Sequence, residues 1–327
     1  MREHNDIAIV RRLMPAALLL SWLAACAGHS PVTDVGPPAP DDVNPLVDKI
    51  WASAESTFIE RDQLDAAFAN ADYLLLGEVH DNTRHHEIQA QLIGRFQGPP
   101  HSVVVGFEQL DNSQAPALET YLGARPDDAS GLGAAIDWSG SGWPDWSLYE
   151  PLFQQALDKG WQPIPLMFAG EQSRRILDQG YSAVLGEDAL AVLQPATALS
   201  GAQQAQVEAL MRSSHCGKLP EEYLPRMVTI QTAKDAYMAW RQTASGPRGI
   251  LIVGDGHARK DRGIPLFLRK IDPQARIVVV SMVEVEPGVT SPGDYPQIEP
   301  SYSDYVIFTR RQQRDDPCAA LDARAPD

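Results

Sequence analysis

Short runs of apolar residues recur along the chain, separated by stretches of mixed polarity. They fall at residues 73–76 (YLLL), 102–107 (SVVVGF), 162–167, 249–253 (GILIV), 276–282 (RIVVVSM) and 305–309. Each run is continuous instead of alternating, so both faces of the segment call for burial, as in parallel strands covered by helices. Helical spacing appears between them, at residues 62–70, 83–96, 114–122 and 148–159. Residues 171–243 mix polar and apolar positions over a long stretch without a good strand, which predicts a helical insertion or lid. The pattern as a whole predicts an α/β fold: a predominantly parallel sheet flanked by helices, with that helical insertion.

The N-terminus has a different logic. Arg11 and Arg12 precede an apolar stretch from Leu13 to Leu23, too short and too interrupted for a permanent membrane span. Leu23-Ala24-Ala25-Cys26 follows and resembles the lipobox of exported bacterial lipoproteins, with Cys26 as the lipidated first residue of the mature chain. Residues 1–25 then read as signal peptide and 26–45 as a tether, rich in Pro, Gly, Ser and Asp and unable to bury a core. The folded domain is expected over residues 46–312, with 313–327 as a tail. Ala27 stands after the cysteine where Asp would retain such a protein at the inner membrane. The expected address is therefore the outer membrane, with the domain facing the periplasm or the cell surface and held to the membrane through the lipid anchor.

Charge narrows the partners. The chain has 27 Lys and Arg against 43 Asp and Glu, a net charge of −16. Such an excess argues against nucleic acid and against attachment to anionic lipid through a basic patch. Beyond Cys26 there are Cys216 and Cys318; in an oxidising compartment they can pair, but nothing in the sequence brings them together. A homodimer is likewise left open.

Three of the apolar runs end in the same residue types. The first leads into Gly77-Glu78-Val79-His80, the second into Glu108, and the fourth into Gly254-Asp255-Gly256-His257. Ligands of open parallel sheets sit beyond the carboxyl ends of strands, so these residues are expected to meet there. Carboxylate and imidazole suit a divalent metal, which makes Glu78, His80, Glu108 and His257 a candidate metal set. In a metal-dependent hydrolase of peptidase or esterase type, Glu78 or Glu108 would be the catalytic base. The glycines are read as positions that tolerate positive φ where the chain leaves a strand. His86 and Gln89 share a face of the following helix, whereas His85 points about 100° away, so one of the two histidines is expected to be exposed.

The ordered series of motifs resembles the ChaN family of haem-binding lipoproteins, within the Tiki/TraB-like superfamily. It comprises Leu76-Gly77-Glu78-Val79-His80-Asp81-Asn82 with His85, His86 and Gln89; Gly106-Phe107-Glu108 with Gln114; and Gly142-Trp143-Pro144-Asp145-Trp146 with Tyr149 and Pro151. It continues through His215-Cys216, Gln231 to Met238, and Val253-Gly254-Asp255-Gly256-His257-Ala258-Arg259 with Asp261-Arg262-Gly263-Ile264-Pro265. The resemblance implies haem binding at the cell envelope in iron uptake or haem handling. The absence of Cys-x-x-Cys-His makes any haem non-covalent. Tyr149 is a candidate oxygen ligand for ferric iron, with Trp146 and His86 beside it as haem contacts; packing of the helix start is the alternative. The cations of 259–262 are candidate partners of haem propionates, or a solvated loop. Three readings follow: a haem-binding envelope lipoprotein, the metal-dependent hydrolase, and a non-catalytic interaction lipoprotein. No Gly-x-Ser-x-Gly, Walker loop or dinucleotide fingerprint supports another class.

Overall fold

The structure is a computed structural model that describes residues 44–315 together with Cys318 and Ala319. The expected signal peptide, Cys26 and nearly all of the tether lie outside the described residues. One sheet contains β1 (Ile50–Ala52), β2 (Thr57–Ile59), β3 (Tyr73–Glu78), β4 (Val104–Asp111), β5 (Gln162–Met167), β6 (Gly249–Gly254), β7 (Ile277–Glu284) and β8 (Tyr305–Thr309). Their order is β2-β1-β8-β7-β3-β6-β4-β5. Every pairing from β8 across to β5 is parallel, while β1 pairs antiparallel with both of its neighbours. The six apolar runs became β3 to β8. The first two strands escape the sequence pattern because they have three residues each, and β2 exposes Thr57 and Phe58.

Helices cover both faces, and β3 explains why its apolar run is continuous. Alternate side chains of a strand point to opposite faces. Leu74 and Leu76 join one core with residues of α1 (Arg61–Phe68), α2 (Thr83–Arg95), α3 (Ala115–Ala124), α4 (Leu132–Ala135) and α5 (Trp146–Asp158). Tyr73 and Leu75 join the other, under α6 (Gly170–Gln179), α7 (Glu187–Leu193), α9 (Leu224–Ser245) and α11 (Ile264–Ile271). Between these last helices lie α8 (Gly201–Ser214) and α10 (Asp255–Ala258), the latter a single turn after β6.

The stretch 171–243 contains no strand and supplies the helical layer on the second face. Its longest helix, α9, buries Ala233, Ala236 and Ala239 against the sheet, small residues that allow a close approach. On the same helix Gln242 is fully buried and its amide donates to the Val104 carbonyl at 3.3 Å. Glycine is required opposite it: a Cβ at Gly249 would stand 1.9 Å from Gln242 Nε2.

The end of the described chain is fastened at two points. Arg314 donates to Asp81 and Glu284 together, and Cys216 is disulfide-bonded to Cys318 across 102 residues of sequence. The pairing that the sequence left open is thus made, between the end of α8 and the C-terminal segment.

Candidate functional site

β3, β6 and β4 are neighbours, so their carboxyl ends lie side by side. Glu78 is in register with Gly254, and Glu108 Oε2 accepts the Gly254 N–H at 2.7 Å. The glycines here serve close approach, which corrects the expectation of positive φ. Gly254 has φ −59°, and a Cβ on it would stand 2.9 Å from the ring of His80. A Cβ on Gly77 would stand 2.8 Å from Asp255 Oδ1 and 3.0 Å from Ala258 Cβ.

Glu78 is buried at the centre of one nest. Its Oε1 accepts from His80 Nδ1 at 2.9 Å, Gln109 Nε2 at 2.8 Å and the Tyr149 hydroxyl at 2.9 Å. Its Oε2 lies 3.3 Å from His86 Nδ1, within ion-pair range but without a hydrogen-bond alignment. Burial alone would raise the carboxyl; His86, His80 and Tyr149 outweigh it and hold Glu78 below the usual carboxylate range. His80 moves the opposite way: burial resists, but Glu78 and Glu108 raise it above an ordinary histidine.

Glu108 forms a second nest. His257 stands between two carboxylates, with Nδ1 2.5 Å from Asp235 Oδ1 and Nε2 3.3 Å from Glu108 Oε1. Burial disfavours its charge, yet Glu108 and Asp235 push it up to about 10, so this imidazole is a cation at neutral pH. Burial likewise opposes ionisation of Glu108, and His257 reverses that and holds it well below the usual carboxylate range. The Gln231 amide lies 3.1 Å from His257 Nε2.

The four strand-end residues therefore gather as expected, in the form of paired imidazoles and carboxylates. Among the described residues no group of three or more His, Cys, Asp or Glu side chains is arranged to hold a metal ion. Both carboxylates, the candidates for the catalytic base, are already paired with imidazoles.

Several expected haem contacts are committed elsewhere. Tyr149 is fully buried and donates its hydroxyl to Glu78, and burial together with Glu78 raises its phenol well above the ordinary value, so in this arrangement the hydroxyl is a donor inside the fold and not an open oxygen. Trp146 packs against Trp138 at 5.1 Å and Phe153 at 5.0 Å. His86 is buried with Nε2 on the His80 carbonyl at 2.9 Å and Nδ1 near Gln89 Oε1. His85 is buried as well, which corrects the expectation that one of the pair is exposed: its Nδ1 accepts the Val79 N–H, and its Nε2 lies 2.8 Å from the Thr309 hydroxyl. The periodicity of α2 placed it rightly on another face, but β8 covers that face too. In the 259–262 run, Arg259 pairs with Asp261 and stacks 4.1 Å over Tyr302, Lys260 pairs with Asp304, and Arg262 is buried. That run is built into the fold and is not a propionate receiver. His215 caps α8, with Nδ1 2.7 Å from the Met211 carbonyl.

What remains accessible is His80 and a cleft. The His80 side chain is 37% exposed, its Nε2 has no hydrogen-bond partner among the described residues, and its ring stands edge-on to Trp143 at 4.8 Å. Trp143 also lines a cleft of about 610 Å³, whose other walls include Glu108, Gln109, Phe168, Ile230 and Lys234. Gln109 and the α9 residues Gln231, Lys234 and Asp235 were not singled out as site residues from the sequence. For the α9 residues, which fall in the segment Gln231 to Met238, spacing on one helix face was the available signal; Gln109 lies on β4 and had none.

The family model described as "Haem-binding uptake, Tiki superfamily, ChaN" matches residues 64–268. No curated protein matches the chain by sequence. Among solved structures, the one titled "Cofacial heme binding to ChaN of Campylobacter jejuni" is similar with a TM-score of 0.63 and 22% identity, covering 79% of this chain and 95% of that one. The type III effector HopBA1 aligns with a TM-score of 0.42 at 13% identity, over 86% of this chain and 99% of that one. An erythromycin esterase mutant, EreC, aligns with 0.39 at 11%, over 82% and 98%. With the family model spanning well over half of its residues, the chain belongs to the ChaN family of haem-binding uptake proteins in the Tiki superfamily.

Proposed function

We propose that this protein is a haem-binding envelope lipoprotein, anchored through lipid on Cys26 at the outer membrane, that holds haem non-covalently for iron uptake or haem handling. Beside family membership, the observation that carries this reading is His80. Its Nδ1 is tied to the Glu78 carboxylate while its Nε2 is free on an exposed ring beside Trp143. Histidines that bind metal are commonly held in this way, with a carboxylate orienting the second nitrogen. The parts suit haem: the cleft offers apolar and aromatic surface at Trp143, Met167 and Met227, and one cation at Lys234 for a carboxylate. In that site His80 would hold the iron through Nε2, Trp143 would give a flat apolar contact, and haem would supply the iron.

The test is a titration of the full chain carrying Cys26→Ser with ferric haem, read by absorbance. A defined Soret band is expected in the parent, with a clear shift or loss in His80→Ala and little change in Tyr149→Phe. An unshifted band in His80→Ala would remove His80 as the ligand, and a parent spectrum equal to free haem would remove the function. The anchor is tested separately: Cys26→Ser should abolish lipidation and release the protein from the membrane fraction.

A further inference from the structure

Lys234 is the one cation among the residues lining the cleft, in a chain whose net charge is −16. It stands on α9, one turn after Gln231 and next to Asp235, so the helix that anchors the cation His257 also presents a second cation towards the opening. It is half-buried and forms no ion pair among the described residues. The neighbouring cations do: Arg259 with Asp261, Lys260 with Asp304, and Arg314 with Asp81 and Glu284. The acids of the cleft are also engaged, Glu108 by His257 and the Gly254 N–H, Asp111 by the N–H and hydroxyl of Ser113. Asp137 lies exposed at the rim. An ammonium on a cleft wall without a counter-charge is open to donate a charge-assisted hydrogen bond to a bound anion.

We infer that Lys234 selects the ligand of this cleft: it receives a carboxylate, and so restricts the cleft to amphiphilic anions whose apolar part lies along Trp143, Met167 and Met227. The inference rests on the haem reading for the identity of the anion, since haem carries carboxylates on a flat apolar ring. The role of the lysine does not require iron, and that separates the two claims experimentally.

The full chain carrying Cys26→Ser is titrated with iron-free protoporphyrin IX, its dimethyl ester, dodecanoate and dodecanol, with binding read by tryptophan fluorescence. A charge-assisted hydrogen bond from the ammonium predicts each acid to bind about tenfold tighter than its neutral analogue. That preference should shrink in high salt and vanish in Lys234→Gln. Lys234→Glu should reverse it and Lys234→Arg should keep it, with melting temperatures close to the parent's. Equal binding of acid and neutral analogue in the parent, or a preference that survives Lys234→Gln, overturns the inference. If dodecanoate is preferred through Lys234 while ferric haem added to the protein keeps its free-solution spectrum, the haem reading falls and the lysine stands. If the porphyrins bind without regard to their carboxylates, the reverse holds; if no probe binds and ferric haem keeps its free-solution spectrum, both fall.

Discussion

His85 sits fully buried between the Val79 N–H and the Thr309 hydroxyl, and burial lowers its pKa to about 4. The contact chemistry requires the neutral ring, because Nδ1 must accept. In the unfolded chain the same imidazole takes up a proton near pH 6.5. Above that pH neither state is protonated and the group leaves stability unaffected. Below it the unfolded chain gains a proton that the folded one refuses until pH falls through about 4. Stability is therefore lost across that window, about 2 kcal/mol by pH 5 and about 3 kcal/mol by pH 4. In urea denaturation between pH 7 and pH 5 the parent should lose about 2 kcal/mol more than His85→Gln, which keeps an acceptor and a donor without titrating, since the raised His80 and His257 act the other way in both proteins. Equal pH dependence in both would mean that His85 is not the group responsible.

At the scale of elements, α9 does two jobs with two faces. Ala233, Ala236 and Ala239 bring it close to the sheet, and Gln231 and Asp235 reach the strand-end loop that carries His257. Asp235→Asn keeps the shape of the acceptor and removes one of the two charges that hold His257 protonated. The imidazole should then titrate well below about 10, measured by NMR of the ring, at a cost of about 1–2 kcal/mol in stability. An unshifted titration would mean that Glu108 alone sustains the cation. The helix was legible as a helix from its spacing; its second role was not, because a polar residue on a helix face reads as solvent-facing until something is placed opposite it.

At the scale of the molecule, the C-terminal segment is bound back onto the carboxyl edge of the sheet. Arg314 bridges the first strand-end loop at Asp81 to the end of β7 at Glu284, and the disulfide then joins the segment to the end of α8. Closing a loop of about a hundred residues removes unfolded-state entropy worth about 4.7 kcal/mol. Cys318→Ser should lower the denaturation midpoint by a corresponding amount, and a reductant should do the same to the parent but not to the variant. Similar midpoints in parent and variant would show that the bridge does not contribute.

The sequence by itself determined the layers. Six continuous apolar runs could be buried only as parallel strands between two helical sheets of cover, and the strand ends of β3, β4 and β6 had to bring Glu78, Glu108 and His257 to one edge. Short-range periodicity carries that information because it depends on which face of each element seeks burial. Only the tertiary structure decided what those residues do there. Whether Tyr149 is a ligand or a buried donor, whether His85 or His80 meets solvent, and whether Gly254 serves a turn or a close ring contact depend on groups far away in the chain. The pairing of Cys216 with Cys318 and the isolation of Lys234 in the cleft are of the same kind. Each is set by the distance between segments, and distance between segments is what burial patterns along a chain leave unspecified.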